Sequence, residues 1–183
     1  MLIVGLGNTG SRYEYTLHNM GFIIVDHIVK YIKPNHTWAK KFSGEYSMYE
    51  HNNKKIMFLK PTTYMNNSGI CVAQYKNFFK IQSDEIFVFH DDIDLKVGQV
   101  KIKTGGGNGG HNGLKSLDAH IGCNYHRIRI GIGRPQHKDD VSNFVLSKFQ
   151  SENLEQVHTI SNLFRENITF LLEKKFSLLK DYF

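Results

Sequence analysis

The chain has 183 residues, with 23 Lys and Arg against 17 Asp and Glu for a formal net charge of +6 at pH 7, which favours one domain with a sizeable core and is compatible with a polyanionic partner. Cys71 and Cys123 lack C-x-x-C spacing, which argues against a disulfide framework or a cysteine zinc site and points to a reducing, cytoplasmic home. The opening MLIVGLGNTG has neither the basic leader of a signal peptide nor an apolar run long enough to span a membrane.

Leu2, Ile3 and Val4 form a continuous apolar run, the pattern of a strand buried on both faces of a sheet. Residues 5–10 then spell G-x-G-x-x-G, the dinucleotide-binding fingerprint when it joins a strand directly to a helix. Here polar and aromatic residues 11–19 intervene first, and Asp26, the acidic residue at the right distance, falls inside the next apolar run. The cofactor reading is therefore rejected. From Gly21 on, Phe22, Val25, Ile28, Val29 and Ile32 recur at helical spacing until Pro34 stops the pattern. His18 and Asn19 stand at the N-terminal approach to this helix, where the dipole disfavours imidazolium and leaves a neutral ring able to accept a proton. Capping the helix, or packing on Tyr13 or Tyr15, is the simpler alternative for His18.

Residues 43–50 and 55–60 read as two strands around a turn at 51–54, with Pro61 ending the second. Asn66 follows just outside that strand end, where open α/β sheets bind ligands, although it could equally cap the helix carrying Ile70, Val72, Ala73, Tyr75, Phe78 and Phe79. Residues 85–90 form a third apolar strand with Asp91, Asp92 and Asp94 at its C-terminal end. The three carboxylates suggest a divalent cation, but no second cluster with convincing ligand spacing accompanies them; one carboxylate orienting a histidine ring is the competing role.

An alternating strand over residues 99–103 leads into TGGGNGGHNGLKSL at 104–117. So many glycines cost backbone entropy and imply sharp turns or close approach to a ligand, so the stretch reads either as an anion-binding loop before a helix or as a mobile surface loop. Leu114 stands where a P-loop requires glycine before Lys115, which excludes that motif. In the strand at 127–133, Arg127 and Arg129 share one face and, with Lys101, Lys103 and Lys115, offer a surface to phosphates or simply to water. Val141, Phe144, Val145, Leu146 and Phe149 look like a docked segment. Residues 152–170 carry Leu154, Val157, Ile160, Leu163, Phe164 and Ile168 at helical spacing, and Lys174, Lys175 and Lys180 follow.

Four stretches, VGLGNTGSRYEYTLHNMGF at 4–22, KPTTYMNNSG at 60–69, HDDIDLKVGQVKIKTGGGNGGHNGLKSL at 90–117 and RIRIGIGRP at 127–135, together resemble bacterial peptidyl-tRNA hydrolase, and SNFVLSKF at 142–149 is similar to a further family segment. The resemblance implies one α/β domain over 1–183, with a mixed twisted sheet flanked by helices and a C-terminal amphipathic helix. It implies a monomer that needs no metal or cofactor and cleaves the ester between peptide and tRNA. The family's catalytic histidine falls on His18 and the carboxylate that orients it on Asp91. Substrate-binding positions fall on Asn8, Tyr13, Met65, Asn66 and Asn112, and tRNA-contacting ones on Lys103 and Arg129. Thr9, Leu17 and Lys96-Val97 depart from the family's proline, arginine and Leu-Pro-Pro type turn.

No G-x-S-x-G elbow or Cys-His arrangement stands out, so water is the expected nucleophile. A nucleotide-dependent oxidoreductase built on residues 5–10 and an RNA-binding protein without chemistry are the two rival readings.

Overall fold

The computed structural model describes residues 1–135, 137 and 140–179; the side chains at 151, 152, 154 and 179 lie outside that description, and with them the expectations for Leu154 and Lys180. Seven strands form one mixed sheet: β1 (Leu2–Gly5), β2 (Ala39–Lys41), β3 (Gly44–His51), β4 (Lys54–Pro61), β5 (Ile86–Asp92), β6 (Val100–Thr104) and β7 (His126–Gly131), in the order β2-β3-β4-β1-β5-β7-β6. The four inner strands β4, β1, β5 and β7 are parallel, and the outer β2, β3 and β6 run antiparallel to their neighbours. Parallel strands covered on both faces need apolar residues at every position, which is what Leu2, Ile3 and Val4 supply.

The helices cover the sheet in two layers. On one face α1 (Met20–Ile32), α5 (Ser151–Glu166) and α6 (Ile168–Leu172) pack against Ile3, Phe58, Phe87, Phe89, Ile128 and Ile130. On the other, α2 (Ser68–Phe78) and α3 (Asn112–Ile121) cover Leu2, Val4, Met57, Leu59, Ile86 and Val88. A short α4 (Val141–Leu146) and a terminal turn, α7 (Phe176–Leu179), complete the set. The hairpin expected around 51–54 forms a two-residue turn, with Asn52 and Asn53 both at positive φ.

Two expectations need correction, and one strand was not foreseen. The long C-terminal helix is two helices, broken at Asn167, whose side-chain amide bonds the Leu163 carbonyl at 2.9 Å. Asp91 and Asp92 lie inside β5, not after it, because pairing with β7 continues to Gly131. The exposed edge strand β2 had no apolar signal by which to be found.

The G-x-G-x-x-G stretch serves packing. A Cβ on Gly7 would lie 2.6 Å from the Phe22 ring, and one on Gly5 would strike the backbone of Gly21 in α1. The chain can therefore pass tightly from β1 over the first turn of α1, which brings the preceding 3-10 turn Leu17–Asn19 onto the C-terminal end of β5.

Candidate active site

A cleft of about 840 Å³ opens at the C-terminal ends of the parallel strands, the edge where α/β sheets bind ligands. All nine expected site residues, Asn8, Tyr13, His18, Met65, Asn66, Asp91, Lys103, Asn112 and Arg129, line it.

At its floor His18 Nδ1 lies 3.0 Å from each oxygen of Asp91. Because a carboxylate only accepts, the proton sits on Nδ1 and the lone pair on Nε2, which has no protein partner among the described residues. Asp91 is 2% exposed and receives a second imidazole: His111 Nε2 stands 3.0 Å from the same Oδ1. On its far side, His111 Nδ1 accepts the backbone N–H groups of Gly113 and Leu114 at 3.1 and 3.3 Å and so caps α3. Burial pushes the Asp91 carboxyl upward, but the electrostatic pull and hydrogen bonds of the two imidazoles, His18 and His111, outweigh it and hold the group below the usual carboxylate range.

This capping corrects the anion-loop reading of residues 104–117. The N–H groups that would have met a phosphate are taken by His111, and the helix begins at Asn112. Gly105, Gly106, Gly109 and Gly110 instead supply positive φ for the turns that return the chain across the cleft.

Donor atoms of His18, Asp91 and His111 lie within 4.8 Å of one another, a spacing that a divalent ion could span. The hydrogen-bond pattern argues against that use, since His111 could offer Nε2 to a metal only by moving its proton to Nδ1, against two backbone donors. The other carboxylates are held apart: Asp92 accepts from Arg129 Nε at 2.7 Å and from the Asp94 N–H at 2.9 Å, while Asp94 pairs with Arg134.

The asparagines have distinct settings. Asn19 donates to the Asn8 carbonyl at 2.9 Å and accepts the Asn8 N–H at 2.7 Å, fixing the loop. Asn8 Oδ1 in turn accepts the Met65 N–H at 2.8 Å, so its Nδ2 remains for the cleft. Asn66 and Asn112 are exposed along the cleft. Met65 is buried, and a Cβ on Gly113 would meet its sulfur at 2.5 Å. Tyr13 stacks beneath the Arg12 guanidinium at 4.5 Å and meets Tyr64 edge-on at 6.4 Å.

The shared face of Arg127 and Arg129 exists, but it is not an open basic surface. Arg127 is buried; it bonds Asp118 at 2.9 Å and the Gly107 carbonyl at 2.6 Å, tying the glycine-rich loop to α3. Arg129 is paired with Asp92, whereas Lys103 is exposed and makes no ion pair within the described residues.

Sequence reasoning missed His111, Asn19 and His90. His90, fully buried, donates Nδ1–H to the Asp91 carbonyl at 2.7 Å; burial, then the nearby His111, push its ring down to about 3 and keep it neutral. Also missed was the apolar wall that Val141, Val145 and Leu146 of α4 give the cleft. His111 alone carried a signal, as a titratable side chain inside a run of glycines.

The model of the peptidyl-tRNA hydrolase family matches residues 2–182. The chain belongs to that family. It is 49% identical over 175 residues to the peptidyl-tRNA hydrolase of Rickettsia bellii (strain RML369-C), covering 96% of this chain and 95% of the relative. It is 52% identical over 159 residues to that of Aliarcobacter butzleri, covering 87% and 85%. The crystal structure of peptidyl-tRNA hydrolase from Acinetobacter baumannii is similar to it with a TM-score of 0.92 at 36% identity, over 99% of this chain and 92% of that one.

Proposed function

We propose that this protein hydrolyses the ester between the peptide and the 3′ end of tRNA, with His18 as general base, and so recycles tRNA from abandoned translation. The observation that carries the mechanism is the His18–Asp91 pair, which directs a proton-free Nε2 into a cleft large enough for a peptide and a nucleotide. Family membership supplies the substrate. Water attacks the ester carbonyl carbon and gives its proton to His18 Nε2. The tetrahedral intermediate then breaks its bond to the 3′-oxygen, which takes that proton back. The products are a peptide carboxylic acid, which loses its remaining water-derived proton to solvent, and a tRNA with a free 3′-hydroxyl. Asp91 holds the ring with Nδ1 protonated and stabilises the imidazolium between the two steps.

Asn8 Nδ2 and the amides of Asn66 and Asn112 bind the peptide backbone and the developing oxyanion without changing charge. Met65 and Tyr13 complete the substrate walls. Lys103 and the outer nitrogens of Arg129 take the tRNA phosphates. The enzyme works as a monomer in the cytoplasm and requires no metal or cofactor; no described helix is long and apolar enough to cross a membrane.

The packing role of Gly5 and Gly7 weighs against the oxidoreductase reading. The test compares peptidyl-tRNA with aminoacyl-tRNA bearing a free amine. Release of peptide from the first alone is expected. Binding of either without any release would leave only an RNA-binding protein.

A further inference from the structure

His111 is fixed from two sides. Its Nδ1 accepts the N–H groups of Gly113 and Leu114, two and three residues on in the first turn of α3, so the ring proton belongs on Nε2. That nitrogen stands 3.0 Å from Asp91 Oδ1, the oxygen that also accepts from His18 Nδ1. The two rings approach each other to 4.9 Å between centroids across the carboxylate they share.

We propose that His111 is a positioning residue for the reaction: the start of α3 locks it as the neutral Nε2–H tautomer, and as a second donor to Asp91 it limits how tightly that carboxylate retains a proton on His18. A carboxylate with one donor concentrates its charge on that donor, whereas a second neutral donor disperses it. The base therefore returns to its proton-free form more readily, and Asp91 is held so that Nε2 points into the cleft. This role rests on the proposal that His18 is the general base.

The charged and titratable groups around the trio come from several elements. His90 lies edge-on to His111 at 5.1 Å from β5. The Asp92–Arg129 pair bridges β5 and β7, and Lys103 of β6 and Arg12 of the loop after β1 line the same cleft. The residues that α4 contributes to the cleft, Val141, Ser142, Val145 and Leu146, carry no titratable group.

Two substitutions separate the two sides of the ring. His111→Asn keeps an acceptor where Nδ1 caps the helix but cannot reach Asp91; His111→Gln places an amide donor near the position of Nε2 and loses the cap. In His111→Asn the acid limb of kcat/KM should move to higher pH by roughly one unit, the scale of one hydrogen bond to a carboxylate. Activity lost at pH 6.5 should then return by pH 8.5. In the free enzyme, the His18 Nδ1–H proton resonance should move downfield as the bond to Asp91 tightens. His111→Gln should keep the acid limb of the parent while lowering the thermal midpoint through the lost cap.

An unmoved Nδ1–H resonance in a folded His111→Asn protein overturns the inference. So does an acid limb displaced equally by both substitutions, which would make His111 merely structural. A resonance that moves without any change in the rate profile supports the inference and counts instead against His18 as general base.

Discussion

Gly5 and Gly21 meet backbone to backbone: a Cβ on Gly5 would lie 2.4 Å from the Gly21 carbonyl oxygen, and one on Gly21 would lie 2.3 Å from both the Leu6 nitrogen and the Phe89 oxygen. The contact seats the first turn of α1 on the ends of β1 and β5, so the distance from His18 to Asp91 depends on it. Gly21→Ala should cost on the order of 3 kcal/mol or more, because backbone rather than a side-chain tip must move. Gly107→Ala is the control, with normal φ and nothing within 4 Å of an added Cβ. Urea titrations would show the first strongly destabilised and the second near the parent; a tolerated Gly21→Ala would mean that α1 can shift freely.

His18→Ala should lower kcat by about 10²- to 10⁴-fold, the usual worth of general-base help, while tRNA affinity stays close to that of the parent. Asp91→Asn should be milder. An amide oxygen at the Oδ1 position accepts from both His18 and His111, although the amide nitrogen then replaces Oδ2, the second acceptor 3.0 Å from His18 Nδ1. What is lost is the charge that stabilises imidazolium and the second of two acceptors facing the ring. Single-turnover rates would distinguish the two, and a loss in Asp91→Asn as deep as in His18→Ala would show that Asp91 does more than orient.

Stability should fall on the acid side through His90. In the unfolded chain this ring takes a proton near its ordinary 6.5, whereas in the fold it stays neutral down to about 3. Between those values the unfolded state binds more protons, so acid favours unfolding, by about 2 kcal/mol from pH 7 to pH 5. Asp91, held below the carboxylate range, extends the loss below about pH 4. His90→Asn can still donate to the Asp91 carbonyl and should flatten the drop between pH 7 and 5. The comparison is between denaturation midpoints at the two pH values, and an equal drop in both proteins would assign the effect to other groups.

Lys103→Gln should reduce the logarithmic salt slope of tRNA binding by roughly 0.7 to 0.9, the share of one phosphate contact, with little change in cleavage of a minimal substrate ending in one nucleotide. Arg129→Gln should weaken binding further, because it also leaves the Asp92 carboxylate without its partner at 2.7 Å. Titration against salt with full-length tRNA checks both. A slope that neither substitution alters would place the phosphate contacts elsewhere.

Much of the fold could be read from residue patterns because its central elements carry clear apolar runs or helical spacing. Leu2, Ile3 and Val4 and the run before His90 are continuous apolar runs of strand length, and the positions from Phe22 to Ile32 keep helical spacing. The three-residue β2 has no such pattern. In the site, asparagines and histidines beside glycines suggested function, but their pairing is set by contacts between residues distant in sequence. His18 and Asp91 stand 73 positions apart, and only family resemblance joined them in advance. No local rule could show that Asn19 clasps Asn8, or that His111 spends one nitrogen on a helix start and the other on Asp91. Arg127 misled for a related reason: strand alternation gives the face of a side chain, not whether a loop will lie over it.

The central position of β1 has a consequence for how the protein is made. Leu2 pairs with Met57 on one side and with Ile86 on the other, so β1 leaves the ribosome well before either strand that encloses it. At about 5 to 20 residues per second, Leu2, Ile3 and Val4 wait several seconds for β4 and longer still for β5, which closes their second edge. Long-range parallel pairing is also slow to form once the partners exist. The nascent chain thus carries an unsheltered apolar edge while much of its sheet is still unmade, and its yield in the cell should depend on chaperone capacity and growth temperature more steeply than its finished stability would suggest.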